Sequence, residues 1–280
     1  MSTSRMKSIA WKIFQYFTLI FFSFVALIPV VSCVVTAFKP EEEYLRTNVM
    51  EMPESWLNFT NFVDAFTRAN MGIAFINSTI ILIFVVLGSV MIGSMLAYVL
   101  NRFQFPGNGL IRNLFLFATL LPGIAMQVST YQLMYNIGFI DSLWGYIILS
   151  MGTDVIAIYV FIQFFENIPV SLDESAFMDG ASYFTIFFKI LFPLLKPAIV
   201  TVAILKGVGT YNEYYNANLY LQSEKLKTIA LSLYTFTGPL GNKYNLICAG
   251  VIISLIPALV VFILFQKQIY SGLTAGAVKG

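Results

Sequence analysis

The chain contains no histidine and only two cysteines in 280 residues, and Asp, Glu, Lys and Arg together make up just 11% of it. Without histidine, the most common general base and the most common nitrogen ligand for metals are both missing. Cys33 and Cys248 lie inside apolar runs, which fits inert packing and not a zinc pair, since the usual ligand sets need more donors. No GxxxxGK[ST] phosphate loop occurs, so the chain is not expected to hydrolyse ATP itself. These absences exclude imidazole chemistry, and no metal or cofactor is expected. The net charge of +2 gives no reason to expect nucleic acid as a partner.

Apolar sequence is abundant: 58% of the side chains are hydrophobic. Uncharged runs cover Ile13 to Phe38, Ala69 to Asn101, Asn113 to Ile140, Ser142 to Thr153 followed by Val155 to Phe165, Pro197 to Asn212 interrupted by Lys206, and Tyr244 to Gln266. Each approaches or exceeds the ~20 residues that cross a hydrocarbon core. The expected fold is therefore all-α, a polytopic membrane protein in one transmembrane domain. Its six helices should lie near 12–38, 72–100, 113–135, 143–165, 194–215 and 244–267, with a loop over 166–193 and a tail over 271–280. The first run follows Arg5, Lys7 and Lys12, lacks a small-residue cleavage site, and is expected to remain as a span. An even span count puts both termini on one side, and the positive-inside rule makes that side cytoplasmic.

The stretch from Pro169 to Pro197, IPVSLDESAFMDGASYFTIFFKILFPLLKP together with the preceding Ile168, carries the most information. Ser171 with Glu174 three residues on has the form of a capping box, and Gly180 sits where a left-handed C-terminal cap belongs. At 1.5 Å per residue such a helix is too short to cross a bilayer and belongs on its surface. Ser182 is placed to cap a second helix carrying Phe184, Phe187, Phe188 and Leu191 on one face and stopping at Pro193. On its own this pattern also suits a surface helix in which Glu174 merely closes its own N-terminus.

The same loop resembles the EAA motif of binding-protein-dependent ABC importer permeases, Glu-Ala-Ala, three residues, Gly, nine residues, then Ile-x-Leu-Pro; the matching positions are Glu174, Ser175, Ala176, Gly180, Ile190, Phe192 and Pro193. Ser175 and Phe192 depart from it, small for small and apolar for apolar. Beyond the loop, FINSTIILIF, AYVLNRFQFPG, YNEYYNANLYL and the tail GLTAGAVKG are similar to the smaller permease subunit of maltose-type sugar importers. The resemblance implies a type I importer fold in a bacterial or archaeal cell membrane, moving a carbohydrate inward. It implies four partners: a second homologous permease, two copies of a cytoplasmic ABC ATPase, an extracytoplasmic sugar-binding protein, and membrane lipid. It implies that Glu174, Ser175, Ala176, Asp179, Gly180, Ile190 and Pro193 couple to the ATPase, and that Gly276, Ala277 and Lys279 of the tail enter the ATPase interface. It also implies that Gly238, Pro239, Gly241 and Asn242 of the last outer loop touch the binding protein.

Residues for a translocation pathway follow from polarity inside apolar segments. Leu121-Pro122-Gly123 should kink the third span, with Gln127 following it, and Gly152-Thr153-Asp154 should break the fourth, with Thr153 or Asp154 capping its second half. Asp154, Lys206 and Glu213 are ionisable groups in or beside spans, where charges mark a pathway or an internal pair. Lys206 and Glu213 share a helix face but stand too far apart to pair within one straight helix. Contact with substrate and pairing with a neighbouring helix both remain open for Lys206 and Asp154; the family more usually carries an apolar or aromatic residue at Lys206. Asn212 joins the candidates among tyrosines that suit either a sugar ring or an interfacial belt, with Tyr211 replacing the family's Trp. Earlier, Asn61 to Arg68 suits either an interfacial helix anchored by Trp56 or a solvated loop. A self-sufficient secondary transporter would call for inverted repeats, which are not evident. A membrane-embedded enzyme would call for a catalytic constellation, and none is found.

Overall fold

The computed structural model describes the backbone of residues 3–152, 154–238 and 241–277, and side chains at 11–152, 154–238 and 241–267. Among the described residues every regular element is helical. Three helices are long and apolar enough to cross a membrane: Trp11–Ala37 within α1 (Thr3–Ala37), α4 (Met71–Arg102) and Tyr244–Lys267 within α15 (Tyr244–Ala277). Three more candidates are bent pairs, giving up to six spans. These are α5 (Asn108–Leu120) with α6 (Gly123–Asn136) at 102°, α7 (Leu143–Ser150) with α8 (Val155–Phe165) at 44°, and Tyr183–Leu194 with α12 (Lys196–Asn212) at 76°. The chain divides into two compact units, residues 1–71 with 233–257 and residues 72–232 with 258–280.

The first unit is organised around the C-terminal end of α1, where the last helical carbonyls need donors. Asn61, on α3 (Thr60–Arg68), donates its amide to Ala37 O at 2.8 Å and Lys39 O at 2.7 Å and accepts from Asn245 Nδ2 at 3.1 Å. The segment 60–68 is thus a helix and not a solvated loop, with the rings of Phe62 and Trp56 both packed at a tilt against Phe38. Fully buried Lys39 donates to Asn48 O at 2.6 Å, and Glu43 of α2 (Glu41–Arg46) accepts from Glu54 N at 2.8 Å. Most side chains of α1 from Trp11 to Val31 are exposed, an apolar surface suited to lipid or another membrane chain.

The second unit has its core where α4, α8 and the segment 186–202 meet. Gly93 permits that approach: a Cβ there would stand 3.2 Å from the Ala157 Cβ and 3.4 Å from the Phe161 ring. Tyr98, Phe165 and Phe187 pack their rings together in the same cluster. After α9 (Ser171–Met178), the second surface helix departs from expectation. Following α10 (Tyr183–Thr185) the chain widens into a π turn over Ile186–Leu191 and continues through α11 (Phe192–Leu194), so the helical stretch ends one residue beyond Pro193. A widened turn just before a proline leaves its ring room against the preceding carbonyls. The extra residue also rotates the apolar face: Phe187 and Leu191 are buried, whereas Phe184 and Phe188 are exposed. The Pro122 bend is likewise larger than a kink, since the helix stops at Leu120 and restarts at Gly123. The helix α15 runs on through Ala277, into the segment expected as a tail from residue 271.

Asn61→Ala would leave two buried carbonyls without donors, at a cost of about 1–3 kcal/mol each. The expected result is a lowered thermal midpoint for the purified protein in detergent, by fluorescence-detected size exclusion, while the exposed neighbour Thr60→Ala leaves it unchanged.

Candidate functional site

The bent pairs of the second unit open a cavity of about 580 Å³, within the range of ~300–1,000 Å³ typical of small-molecule sites. Its walls include two of the helix breaks and part of α12. Gly123 and Gln127 come from the restart of α6, Ser150 and Asp154 from the junction of α7 and α8, Lys206 and Thr210 from α12, and Asn216 and Tyr220 from α13 (Tyr215–Tyr220). Asp154 serves two functions there. One oxygen accepts from Ala157 N at 3.2 Å and caps α8, while the other lies 3.1 Å from Lys206 Nζ. The pair is mostly buried, with side-chain exposures of 22% for Lys206 and 18% for Asp154. Both partners nevertheless line the cavity, so pairing does not remove them from it.

Glu213 terminates α12 and accepts from Asn216 N at 2.9 Å, closing the first turn of α13. Asn216 in turn accepts from Gln127 Nε2 at 3.3 Å, linking α6 to α13 across the cavity. Asn212 is placed differently from the other pathway candidates: it is exposed, bonds to Val208 O of its own helix, and does not line the cavity. Asn216 occupies the position that Asn212 was expected to fill. Further along, Asp141 holds two loops together by accepting from Gln222 N at 2.9 Å, from Ser223 N at 2.8 Å and from the Ser223 hydroxyl. Those Ser223 bonds keep its carboxyl below the usual carboxylate range.

A second surface is formed by α9. The capping box is absent: the N-cap is Val170, with no side-chain bond, and Ser171 is already the first helical residue. Its first-turn Asp173 and Glu174 still favour the positive end of the helix dipole. The C-terminus closes at Gly180, with φ of +82° and Ala181 N donating to Ala176 O at 3.0 Å. Ser182 caps the next helix through Thr185 N. Glu174, Ser175, Asp179 and Gly180 are exposed, Ala176 is buried, Ile190 is half-buried in the π turn and Pro193 is exposed on α11. Met178, at 86% exposure, and Phe177 add apolar surface to a helix too short to span a bilayer.

Arg102 and Asp173 fasten this surface to the core, and neither stood out from sequence as a coupling residue. Arg102 Nε lies 3.0 Å from Asp173 Oδ2, with 8% and 14% side-chain exposure, in an ion pair whose N–H is not aligned on the oxygen. Its other nitrogens donate to Ile168 O at 2.8 Å and Phe165 O at 3.4 Å, at the end of α8. Burial pushes the Asp173 carboxyl above its ordinary range against the pull of Arg102. The only sequence signal was an arginine closing an apolar span.

Among the last-loop candidates, Gly238, Gly241 and Asn242 are exposed. Gly241 has φ of +121°, and Asn242 donates back to the Tyr244 hydroxyl at 3.1 Å. Pro239 and Lys279 lie outside the described residues, as does Thr153; Gly276 and Ala277 are the last described backbone positions of α15.

An all-helical chain with several apolar helices, a polar cavity at their breaks and a short helix exposing apolar side chains outside them has the architecture of a membrane permease subunit. Residues 89–274 match the family described as binding-protein-dependent transport system inner membrane component, and the chain belongs to that family. It is a multi-pass inner-membrane permease of an ABC importer, in which the ATPase is a separate subunit and a substrate-binding protein is a partner. Relatives include the arabinooligosaccharides transport system permease protein AraQ of Halalkalibacterium halodurans, 31% identical over 93% of this chain and 94% of that one. The melibiose/raffinose/stachyose import permease protein MelC of Bacillus subtilis is 32% identical over 80% of this chain and 82% of its own length. The fold is shared with a chain of a bacterial ABC transporter involved in the import of the acidic polysaccharide alginate, with TM-score 0.81 and 21% identity over 95% of this chain and 98% of that one.

The asymmetry at Arg102 gives a test. Arg102→Leu strands Asp173 and two carbonyls and should cost about 3–5 kcal/mol, whereas Asp173→Asn removes a desolvated charge and leaves the carbonyl bonds in place. The thermal midpoint of the purified complex should fall clearly for Arg102→Leu, fall less for Asp173→Asn, and partly recover in the double variant.

Proposed function

We propose that this chain is one of two homologous permeases in a carbohydrate importer, assembled with two copies of a cytoplasmic ATPase and an extracytoplasmic sugar-binding protein. The observation that carries the reading is the cavity, which sets tyrosine rings beside carboxylate, amide and hydroxyl groups. A sugar needs these two things together, apolar faces for its C–H surfaces and paired acceptors and donors for its hydroxyls. The named cargo of the relatives supports the same class. In this reading Gln127, Asp154, Lys206 and Glu213 belong to the translocation pathway, joined by Asn216.

Coupling is assigned to α9. Closure of the ATPase dimer moves the helix Ser171–Met178 and its Gly180 hinge, and the two permeases alternate between inward-open and outward-open states. Arg102 and Asp173 transmit that movement to the ends of α4 and α8. Nothing in this chain lies within 4 Å of where a Cβ on Gly180 would stand, so within the permease a substitution there acts through backbone strain. Left-handed backbone costs an ordinary residue ~1–2 kcal/mol and a β-branched one more. Gly180→Val is therefore expected to assemble in the membrane but to lose binding-protein-stimulated ATP hydrolysis, measured in proteoliposomes; hydrolysis near the native rate would remove α9 from the coupling path.

Both termini are assigned to the cytoplasm, with Gly276, Ala277 and Lys279 at the ATPase interface and the loop around Gly238, Pro239, Gly241 and Asn242 facing the binding protein. A cysteine replacing Ala277 should cross-link to the ATPase and resist an impermeant thiol reagent applied from outside, while one replacing Gly241 should be labelled. The reverse labelling pattern would invert the orientation.

A further inference from the structure

Lys206, Asp154 and Glu213 are the only charged side chains lining the cavity among the described residues. Asp154 neutralises Lys206 at 3.1 Å, while Glu213 has no ion pair among the described residues and its carboxylate accepts from the backbone N–H of Asn216. The wall therefore carries one formal negative charge in excess. Its remaining polar groups are uncharged, including Gln127, Thr130, Ser150 and Asn216. A helix break inside apolar surroundings screens such a charge far less than water does, so the excess acts on anything that enters.

We propose that this wall is a charge filter in which Glu213, with Lys206 cancelled by Asp154, admits uncharged saccharides and rejects those bearing carboxylates. The inference rests on the carbohydrate reading and narrows it, because the importers this chain resembles include both types of cargo by name, neutral oligosaccharides and an acidic polysaccharide. A carboxylated sugar placed about 10 Å from the unbalanced charge, at an effective dielectric of ~20, should be disfavoured about tenfold. Neutral hydroxyls have no such penalty: Glu213 and Asp154 each keep acceptor capacity for them, and Lys206 keeps donors.

The test uses the full complex of both permeases and the ATPases in nanodiscs, without the binding protein, so that only the membrane cavity discriminates. Binding is measured by equilibrium dialysis for a panel of neutral pentose and hexose tri- and tetrasaccharides and for the same sugars oxidised to carry one terminal carboxylate. The readout is the neutral-to-acidic affinity ratio within each variant, so a general loss of affinity cancels. The native complex should prefer the neutral form about tenfold. Lys206→Gln, which adds a net negative charge, should raise the ratio, and Glu213→Gln and Asp154→Asn should each lower it toward one; Asn at 154 retains an acceptor for Ala157 N. The double variant D154N/E213Q should prefer the acidic form. A ratio that stays constant across the series overturns the filter while leaving the carbohydrate reading intact. Failure of the native complex to bind any saccharide in the panel overturns both.

Discussion

A peptide group that enters hydrocarbon must find its hydrogen-bond partner inside the protein, because no water is there to supply one. That constraint explains why the spans are helices, and why a break in one needs local partners. The breaks at Leu121-Pro122 and between α7 and α8, together with the end of α12 at Glu213, adjoin one cavity, whereas the third bent pair breaks at Leu195, buried in the core. Around the cavity the freed groups have local partners: Asp154 takes the Ala157 N–H, and Glu213 takes the Asn216 N–H. The polar lining is thus in part the repair of the breaks. A cavity built this way acquires carboxylates as caps before any question of substrate arises.

The same requirement operates at the other end of the second unit, where α4 and α8 end at the edge of the apolar zone. Arg102 meets it with a single side chain, donating to the carbonyls of Phe165 and Ile168 and lying beside Asp173. Those carbonyls close α8 and begin the approach to α9. One guanidinium therefore joins the end of a long span, the end of a half-span and the surface helix. Its planar fork suits this work, since a lysine offers one ammonium where three separated acceptors must be reached. On the proposed mechanism α9 cannot be displaced without either moving those ends with it or breaking the contacts of Arg102.

How much of this was legible in the sequence depended on the range of the signal. Apolar runs are continuous in sequence, and the left-handed cap at Gly180, the cap at Ser182 and a cap at Thr153 or Asp154 are local signals, so these could be read directly. The capping box at Ser171 misled because the helix begins one residue earlier, from a Pro169-Val170 turn whose backbone serves without a side chain. The single apolar face of Phe184, Phe187, Phe188 and Leu191 failed because a π turn breaks the 3.6-residue period on which it was drawn. Pairs such as Lys206–Asp154 and Arg102–Asp173 join residues far apart in the chain, and no local pattern announces them. Asn212 was a pathway candidate, but α12 ends there and the chain restarts as α13, which leaves Asn212 exposed and brings Asn216 to the cavity wall.

Lys206 illustrates why a charge persists where an apolar residue would serve stability better. A buried ion pair recovers its desolvation cost only with good geometry and further hydrogen bonds, and apolar replacements of similar volume are often neutral or stabilising. Here Asp154 must remain for the sake of α8, whose first turn it caps, so deleting Lys206 alone would leave that carboxylate uncompensated in a cavity that Glu213 also lines. An apolar residue at 206 would then require a different cap at 154. The lysine is thus explained by the break in the fourth span, and the break by the cavity it opens. Stability, cavity shape and cavity charge are consequently not independent in this permease, because the residue that ends one helix break also sets the charge presented to whatever passes.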